Sequence, residues 1–138
     1  MSKVEQAERM SNAPGFVAAL DQSGGSTPNT LSLYGVDDTQ YANDTQMYDL
    51  IHQMRCRIIQ SNAFKGDRVI GAILFENTME REVAGRPVAD FLWQDRKIVP
   101  FLKVDNGLLD EKQGVQLMKK VPYLNALLAR AKAANIFG

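Results

Sequence analysis

Three short apolar runs are the feature that most constrains the fold of this chain. They are FVAAL (16–20), VIGAILF (69–75) and IVPFLKV (98–104), each bounded by Gly, Pro or charged residues. Because each run is apolar almost throughout, without strict alternation, it is typical of a strand buried on both faces in a parallel sheet. Pro100 weakens the third prediction, since proline cannot donate to a strand ladder.

Helical periodicity fills the stretches between these runs. One apolar face follows Asp44, the predicted N-cap: Met47, Leu50, Ile51, Met54, Ile58 and Ile59. Pro87 and Pro122 each predict the first turn of a further helix. The inward residues of these two helices are Val88, Phe91 and Leu92 in one, and Tyr123, Leu124, Leu127, Leu128 and Ala131 in the other. Residues 135–138 (NIFG) have the pattern of the start of another strand.

The resulting order is β-α-β-α-β-α, which predicts an α/β fold with a parallel sheet. No linker, repeat or low-complexity segment divides residues 1–138, so we expect them to belong to one domain. In folds of this kind the functional groups lie in the loops at the C-terminal ends of the strands.

Charge and cysteine content exclude several classes of protein. The chain has 16 basic and 16 acidic residues and a formal net charge of zero, without the basic surface of a nucleic-acid binder. No run reaches the roughly 20 apolar residues of a membrane span, and MSKVEQAERM at the N-terminus lacks the apolar core of a signal peptide. The lone Cys56 allows no internal disulfide. We therefore expect a cytoplasmic protein that binds neither nucleic acid nor a membrane.

The first apolar run ends in DQSGGSTP, residues 21–28. Asp21, at the end of a strand, suits a general acid or base. Ser23 and Ser26 flank two glycines and offer hydroxyls and unhindered N–H groups ahead of a helix, an arrangement that suits a phosphate. Neither a Walker A loop nor GxGxxG is present, so no nucleotide site is predicted. The alternative is an ordinary βα turn with Ser26 or Thr27 as the N-cap.

The other two runs also end in charged residues. Lys103 and Asp105 are two apart and share one face of the third strand, where they can bind a phosphate or transfer protons. The alternative for this pair is a plain surface ion pair. Glu76, directly after the second run, is a further candidate carboxylate, whereas the alternating charges of residues 80–82 indicate a solvated helix start.

Two other reactive side chains lie on the long helix. His52 has no Cys or carboxylate at metal-ligand spacing, and Cys56 has no local His at a spacing typical of a nucleophile. Both are interpreted as structural residues, and no metal site is predicted.

Five segments of the chain together carry a family signature. They are GFVAALDQSGGSTP (15–28), GAILFENTMERE (71–82), VPFLKVDNGL (99–108), GVQLMK (114–119) and NIFG (135–138). In order and spacing they resemble the N-terminal portion of class I fructose-bisphosphate aldolase in its bacterial form. The resemblance spans essentially the whole chain, and the combination is specific where any one segment alone is not.

The resemblance implies a TIM (β/α)₈ barrel, of which residues 1–138 hold the first three βα units, roughly half of a single domain. It implies a carbon–carbon lyase of glycolysis that reversibly cleaves fructose 1,6-bisphosphate to dihydroxyacetone phosphate and glyceraldehyde 3-phosphate. The implied chemistry uses a lysine Schiff base and no metal or other cofactor. By the same resemblance Asp21 orients the substrate and the protonated intermediate. Ser23 and Ser26 contact the 6-phosphate of the sugar, and Lys103 binds that end too.

In the family the Schiff-base lysine lies on a later strand, beyond residue 138, and Lys103 is not its counterpart. The isolated chain is therefore expected to be inactive. Besides the phosphorylated sugar, its expected partners are the missing C-terminal half of the barrel or further copies of the chain. The alternative is a non-catalytic half-barrel that binds phosphate weakly or self-assembles, since three strands without closure leave two exposed edges.

Overall fold

The computed structural model of the chain describes residues 3–138. Met1 and Ser2 lie outside that range; they are the first residues of the N-terminal segment that is not expected to be a signal peptide. The strands are β1 (Phe16–Leu20), β2 (Val69–Leu74), β3 (Glu82–Val83), β4 (Arg86–Pro87) and β5 (Val99–Leu102). The helices are α1 (Lys3–Asn12), α2 (Thr27–Leu33), α3 (Asp44–Gln60), α4 (Glu76–Met79), α5 (Val88–Asp90) and α6 (Leu124–Ala133). A 3-10 turn spans Asp38–Gln40, and a π-helical turn over Phe91–Asp95 continues α5.

A three-stranded parallel sheet organises the chain, in the order β1-β2-β5. Leu74 of β2 is level with Leu20 of β1 on one side and with Leu102 of β5 on the other. The three strands therefore end at the same height, and their following loops leave from one edge of the sheet. The predicted α/β class with a parallel sheet is confirmed.

The three predicted strands are present with small changes at their ends. β1 has the predicted bounds, β2 ends one residue early, and β5 is confined to Val99–Leu102. Pro100 lies within β5, opposite Ala72 of β2. Its carbonyl oxygen accepts a 2.8 Å hydrogen bond from Phe137 N, on the side away from β2. Since the nitrogen and oxygen of one strand residue point to the same side, the missing N–H of Pro100 costs no bond between β2 and β5.

The long helix α3 confirms its predicted apolar face but not its predicted cap. Asn43 is the N-cap, because its side-chain oxygen accepts a 2.9 Å hydrogen bond from Gln46 N. Asp44 is already the first residue inside the helix. The prediction that Asp44 caps the helix is therefore wrong by one residue.

Both helices predicted after a proline are present, but neither proline occupies the first turn, because Pro122 lies two residues before α6 and Pro87 only caps α5. Pro87 is the N-cap of α5, and the three residues predicted to point inward are all buried: Val88, Phe91 and Leu92. In the stripe predicted for α6, Leu127 and Ala131 are buried, whereas Leu128 and the N-cap residue Tyr123 are exposed. The outer half of that stripe thus has no cover within residues 3–138.

A small hairpin replaces the helix start predicted for residues 80–82. Glu80 is the C-cap of α4, so this charged segment ends a helix, and Glu82 begins β3. β3 and β4 pair antiparallel through the turn residues Ala84 (φ 52°) and Gly85 (φ 74°). Two successive positive φ values are those of the tight turn that suits a two-residue hairpin, and glycine adopts them without strain. The prediction of a solvated helix start is wrong.

The sheet buries one of its faces much more completely than the other. The main core lies on the helix-facing side, where the sheet contributes Ala18, Leu20, Val69, Ala72, Leu74 and Leu102. On the opposite side of β1, Val17 is 40% exposed and Ala19 is also exposed, whereas Phe16, 59% exposed, starts the strand on the same side as Ala18 and Leu20. The apolar sequence of β1 predicts burial on both faces, but within residues 3–138 only one face of β1 is covered.

The segment after α6 lies along the outer edge of β5. Phe137 N donates to Pro100 O at 2.8 Å, and Leu102 N donates to Gly138 O at 3.0 Å. The Phe137 ring packs edge-on against Phe101, with 5.5 Å between ring centroids. The segment therefore runs beside β5 in the same direction, as the predicted start of another strand requires.

We predict that Leu74→Ala lowers the free energy of unfolding by about 2–5 kcal/mol, the usual cost of emptying a leucine site in a core. Leu74 is fully buried in the middle strand, and urea unfolding followed by circular dichroism measures the change. Leu33→Ala is the matched control, because Leu33 is 79% exposed and its loss is expected to change stability by less than about 0.5 kcal/mol. Equal losses in the two variants would contradict the described core.

Candidate functional site at the strand ends

The level ends of the three strands bring the first and third polar segments to one edge of the sheet. Asp21 follows Leu20, and Lys103 follows Leu102, whose strands lie on either side of β2. Lys103 N donates to Leu74 O at 2.9 Å, which holds this residue level with the end of β2. Two strand spacings separate Asp21 from Lys103, or about 10 Å. By strand alternation both side chains point away from the main core, and both are half-buried.

The loop that follows Asp21 is tied together by its own hydroxyl groups. Ser26 is the N-cap of α2, but its side chain makes no capping hydrogen bond and lies 3.4 Å from Ser23 O. Thr27 is fully buried, and its Oγ1 lies 2.7 Å from Ser23 O and 3.2 Å from Gln22 O. Ser26 thus occupies the N-cap position that the alternative of an ordinary βα turn gives it, although without a side-chain capping bond. Thr27 anchors the loop, and the exposed Ser26 hydroxyl stays at its surface.

Tyr48 of α3 covers this loop where it has no side chain. A Cβ on Gly24 would lie 2.7 Å from the Tyr48 hydroxyl, so the glycine permits the close approach. The Tyr48 ring also stacks on Phe75, with 6.0 Å between centroids. Burial raises the pKa of Tyr48, and the charges of Asp44 and Glu76 add to that effect. The tyrosine thus links the loop after β1 to the residue after β2.

Lys103 and Asp105 form the pair that their spacing predicts. Lys103 Nζ lies 2.8 Å from Asp105 Oδ1, and Gly107 N donates to Asp105 Oδ2 at 2.8 Å. The lysine hydrogen bond, followed by the one from Gly107, lowers the pKa of Asp105. Both side chains are partly exposed, at 25% for Lys103 and 35% for Asp105. Asp105 therefore fixes the ammonium group at this edge while leaving part of it open to an anion.

Glu76 is directed toward α6 instead of toward Asp21 and Lys103. Its Oε2 lies 2.7 Å from Arg130, and the same guanidinium lies 2.7 Å from Glu80 Oε1. The hydrogen bonds to these two carboxylates raise the pKa of Arg130. Glu76 thus holds α6 against α4, and the structure does not bring it together with the other predicted site residues.

A buried arginine contacts both the loop after β1 and the helix α4 after β2. Arg55 of α3 is fully buried and donates to Thr78 Oγ1 at 2.6 Å and to Gln22 O at 2.7 Å. Burial lowers the pKa of Arg55 to about 10, partly offset by the attraction of Asp21. Relative to an ordinary arginine, a shift of this size corresponds to about 3 kcal/mol against the charged form. The fold therefore keeps a costly cation at this position.

His52 and Cys56 are closer than their sequence interpretation allows. Cys56 Sγ lies 3.3 Å from His52 Nε2, since residues four apart share one face of a helix. The prediction that Cys56 has no nearby His is wrong. The same nitrogen lies 2.8 Å from Glu82 O, which can only accept, so Nε2 carries the proton and cannot take one from the thiol. Burial also lowers the pKa of His52 and raises that of Cys56, so the structural interpretation of both residues stands.

Within residues 3–138 no group of three or more His, Cys, Asp or Glu side chains is arranged to hold a metal ion. Over the same part of the chain, no helix has both the length and the apolar character needed to cross a membrane. The polar groups available at the strand ends are instead suited to an anion: the Lys103 ammonium and the hydroxyls of Ser23 and Ser26.

Three residues that support the strand-end site are not predicted from the sequence: Tyr48, Arg55 and Thr78. Arg55 does leave a signal, because Met47, Ile51, Arg55 and Ile59 recur every four residues and all are buried. An arginine within an apolar stripe implies a buried partner. Tyr48 and Thr78 leave no comparable signal, since their contacts depend on residues far away in the sequence.

We predict that the carboxyl group of Asp105 titrates with a midpoint below the ordinary aspartate value of about 3.9. Lys103→Met removes the ammonium donor and is expected to move the midpoint upward. A lowered pKa in the folded state stabilises the fold above the ordinary value, and that contribution is lost as the pH falls through the lowered pKa. Carbon-detected NMR of the carboxyl signal measures the midpoint. Lys112→Met, in the same exposed loop, is the control, and an equal shift in both variants would contradict the assigned pairing.

Comparison with known proteins places the chain among aldolases. No protein-family model matches it. It is 58% identical over 134 residues to the class 1 fructose-bisphosphate aldolase of Synechocystis sp., and the match covers 97% of this chain and 45% of that protein. The chain thus spans less than half the length of this curated relative.

The fold has a solved counterpart in the same group of proteins. This is the fructose-bisphosphate aldolase from Plasmodium falciparum, solved in complex with TRAP and a small molecule inhibitor. The TM-score is 0.74 with 20% identity, over 97% of this chain and 38% of that one. This likeness establishes the shared fold, while the high sequence identity establishes kinship. The chain is thus a homologue of class 1 fructose-bisphosphate aldolase over nearly its whole length.

Proposed function

We propose that residues 1–138 form the first three βα units of a (β/α)₈ barrel, as the N-terminal part of one catalytic domain. The observation that carries the proposal is the 58% identity to a class 1 aldolase over 97% of the chain. The exposed apolar side of β1 supports it, because in a closed barrel this side is covered by the side chains of the other strands. The outer edge of β5 is bonded to Phe137 and Gly138, which occupy the position that the next strand takes in such a barrel.

The proposed reaction is the reversible cleavage of fructose 1,6-bisphosphate to dihydroxyacetone phosphate and glyceraldehyde 3-phosphate. A lysine amine condenses with the ketone carbon, water leaves, and the resulting protonated Schiff base accepts the electron pair of the carbon–carbon bond that breaks. No metal is needed for this electron sink. In the family this lysine lies beyond residue 138, so the chain by itself is proposed to bind but not to cleave the sugar.

Within this reaction we assign Asp21, Ser23, Ser26 and Lys103 to the substrate. The proposed role of Asp21 is to orient the substrate and the protonated intermediate from the end of β1. Ser23 and Ser26 are proposed to hydrogen-bond the 6-phosphate, with the Lys103 ammonium supplying opposite charge at that end. The level strand ends and the partial exposure of Lys103 support this division of roles.

The two remaining carboxylates are proposed to act in different ways. Asp105 holds the Lys103 ammonium in place through the 2.8 Å contact and is not itself assigned to the substrate. Glu76 stays a prediction as an additional site residue, and in the structure its carboxylate pairs with Arg130.

The second candidate function is a non-catalytic half-barrel that self-assembles or binds phosphate weakly. The exposed Val17 and Ala19 on the open face of β1 favour it, because an open apolar sheet face promotes association. Intact mass with size-exclusion chromatography of the native protein separates the two. A mass near twice that of 138 residues supports the enzyme, and a stable oligomer of the 138-residue species supports the module.

We predict that the full-length protein, incubated with fructose 1,6-bisphosphate and borohydride, gains a covalent adduct detectable by mass spectrometry. Borohydride reduces the Schiff base to a stable amine, so the adduct reports that intermediate directly. Cleavage is expected to continue in the presence of a metal chelator. Absence of the adduct in a protein that cleaves the sugar would rule out the proposed mechanism, and turnover by the pure 138-residue chain would contradict its proposed inactivity.

Asp21→Ala is expected to lower kcat of the full-length protein by about 10²-fold or more, the usual range for a group that orients and exchanges protons. Ser26→Ala is expected to raise KM by roughly 10-fold with little change in kcat, since it removes one hydrogen bond to a charged phosphate. Steady-state kinetics measures both. Ser32→Ala, an exposed serine on α2, is the control with unchanged kinetics. Full turnover by Asp21→Ala would remove Asp21 from the site.

A further inference from the structure

Arg55 connects the loop after β1 to the helix α4 after β2. Its guanidinium donates to Thr78 Oγ1 at 2.6 Å, to Gln22 O at 2.7 Å and to Gln22 Oε1 at 3.3 Å. Both Arg55 and Thr78 are buried: Arg55 is 0% exposed and Thr78 is 1% exposed. Gln22 lies between Asp21 and Ser23, two residues assigned above to the substrate.

The surroundings of Arg55 are unusual for a buried cation. None of the ion pairs in the described part of the chain includes Arg55, and its Nε has no hydrogen-bond partner there. A buried charge without a contacting carboxylate is costly, and an apolar side chain of similar volume often serves stability as well or better. Its hydrogen bonds go to Gln22 in the loop after β1 and to Thr78 in α4, so its contacts indicate that it places this loop against α4.

We propose that Arg55 is a positioning residue that fixes the loop carrying Asp21, Ser23 and Ser26 against α4, the short helix that carries Thr78. The planar guanidinium contacts the loop and α4 at once, with one nitrogen on each, which a lysine ammonium does not reproduce. Its charge also lies behind Asp21, which interacts with it electrostatically. The inference rests on the proposed function, because it concerns the residues assigned there to the substrate.

The loop has internal bonds that depend on this anchor. Ser26 N and Thr27 N both donate to Ser23 O, at 3.1 and 2.9 Å, next to the Gln22 carbonyl that Arg55 holds. Release of Gln22 is therefore expected to loosen these two amides. Misplacement of a catalytic group by about 1 Å can cost roughly 10²-fold in rate, so a small loosening is sufficient to affect turnover.

The first test is independent of activity and uses hydrogen exchange of the Ser26 and Thr27 amides. Arg55→Lys is expected to raise their exchange rates about 10-fold or more while leaving amides in β2 unchanged. Arg57→Lys is the matched control, because Arg57 lies on the same helix but is exposed. Unchanged exchange in Arg55→Lys, or an equal increase in Arg57→Lys, would overturn the proposal.

The second test is kinetic and uses the full-length protein. Arg55→Lys and Arg55→Ala are expected to lower kcat by about 10²-fold with a smaller change in KM. Added guanidinium, below denaturing concentration, is expected to restore part of the kcat of Arg55→Ala and none of that of Asp21→Ala. Thr78→Val removes one anchor without deleting the cation and gives a smaller loss in the same direction, which keeps the proposal testable if Arg55→Ala does not fold.

Ile59→Ala separates positioning from simple loss of stability. Ile59 is buried on the same helix away from the loops, so this variant is destabilised but is expected to keep the wild-type kcat per folded molecule. If Ile59→Ala and Arg55→Lys lose kcat alike, Arg55 is merely structural and the proposal is wrong. Failure of the proposed function is a different result: the unmodified protein does not cleave the sugar, while the exchange test still decides the role of Arg55.

Discussion

The pairing of β2 with a strand on each side is the constraint on which the rest of the structure depends. β2 is bonded to β1 along one edge and to β5 along the other, and this fixes Leu20, Leu74 and Leu102 at one height. Residues that directly follow the strands consequently meet at one edge, although Asp21 and Lys103 are far apart in sequence. A one-residue slip of either outer strand would turn its strand-end residue toward the helices and dismantle the edge.

The sequence predicts those parts of the fold whose signal is local. An uninterrupted apolar run bounded by Gly or charge is enough to locate β1 and β2, and the four-residue recurrence is enough for α3. α1 gives no such signal, because its sequence is mostly polar and it is held by contacts made far along the chain: Lys3 with Ile136, and Arg9 with Gly66. The two-residue strands β3 and β4 are too short to show any period at all.

The same division applies to the strand-end site. Asp21 and Lys103 are predictable, because each follows a strand directly and strand alternation gives its side. Arg55 is 33 residues from Gln22 and 23 from Thr78, so its role depends on how α3 crosses the sheet, which no local pattern encodes. Glu76 is predicted at the strand end but lies elsewhere: β2 ends at Leu74, α4 begins at Glu76, and its carboxylate pairs with Arg130. Position after a strand is therefore informative only where the chain continues as an extended loop.

The strand β1 has more apolar side chains than the described part of the chain buries. Its five residues are all apolar, yet Phe16, Val17 and Ala19 are exposed while Ala18 and Leu20 are buried. Each apolar side chain left in water forgoes about 25 cal/mol for every Å² that could be buried, and a contiguous exposed patch also promotes association. A strand with a single covered face would favour polar residues at alternate positions. The proposed barrel accounts for their absence, because it places the open side of β1 in an apolar interior and leaves only the strand ends, with Asp21 and Lys103, at its open end.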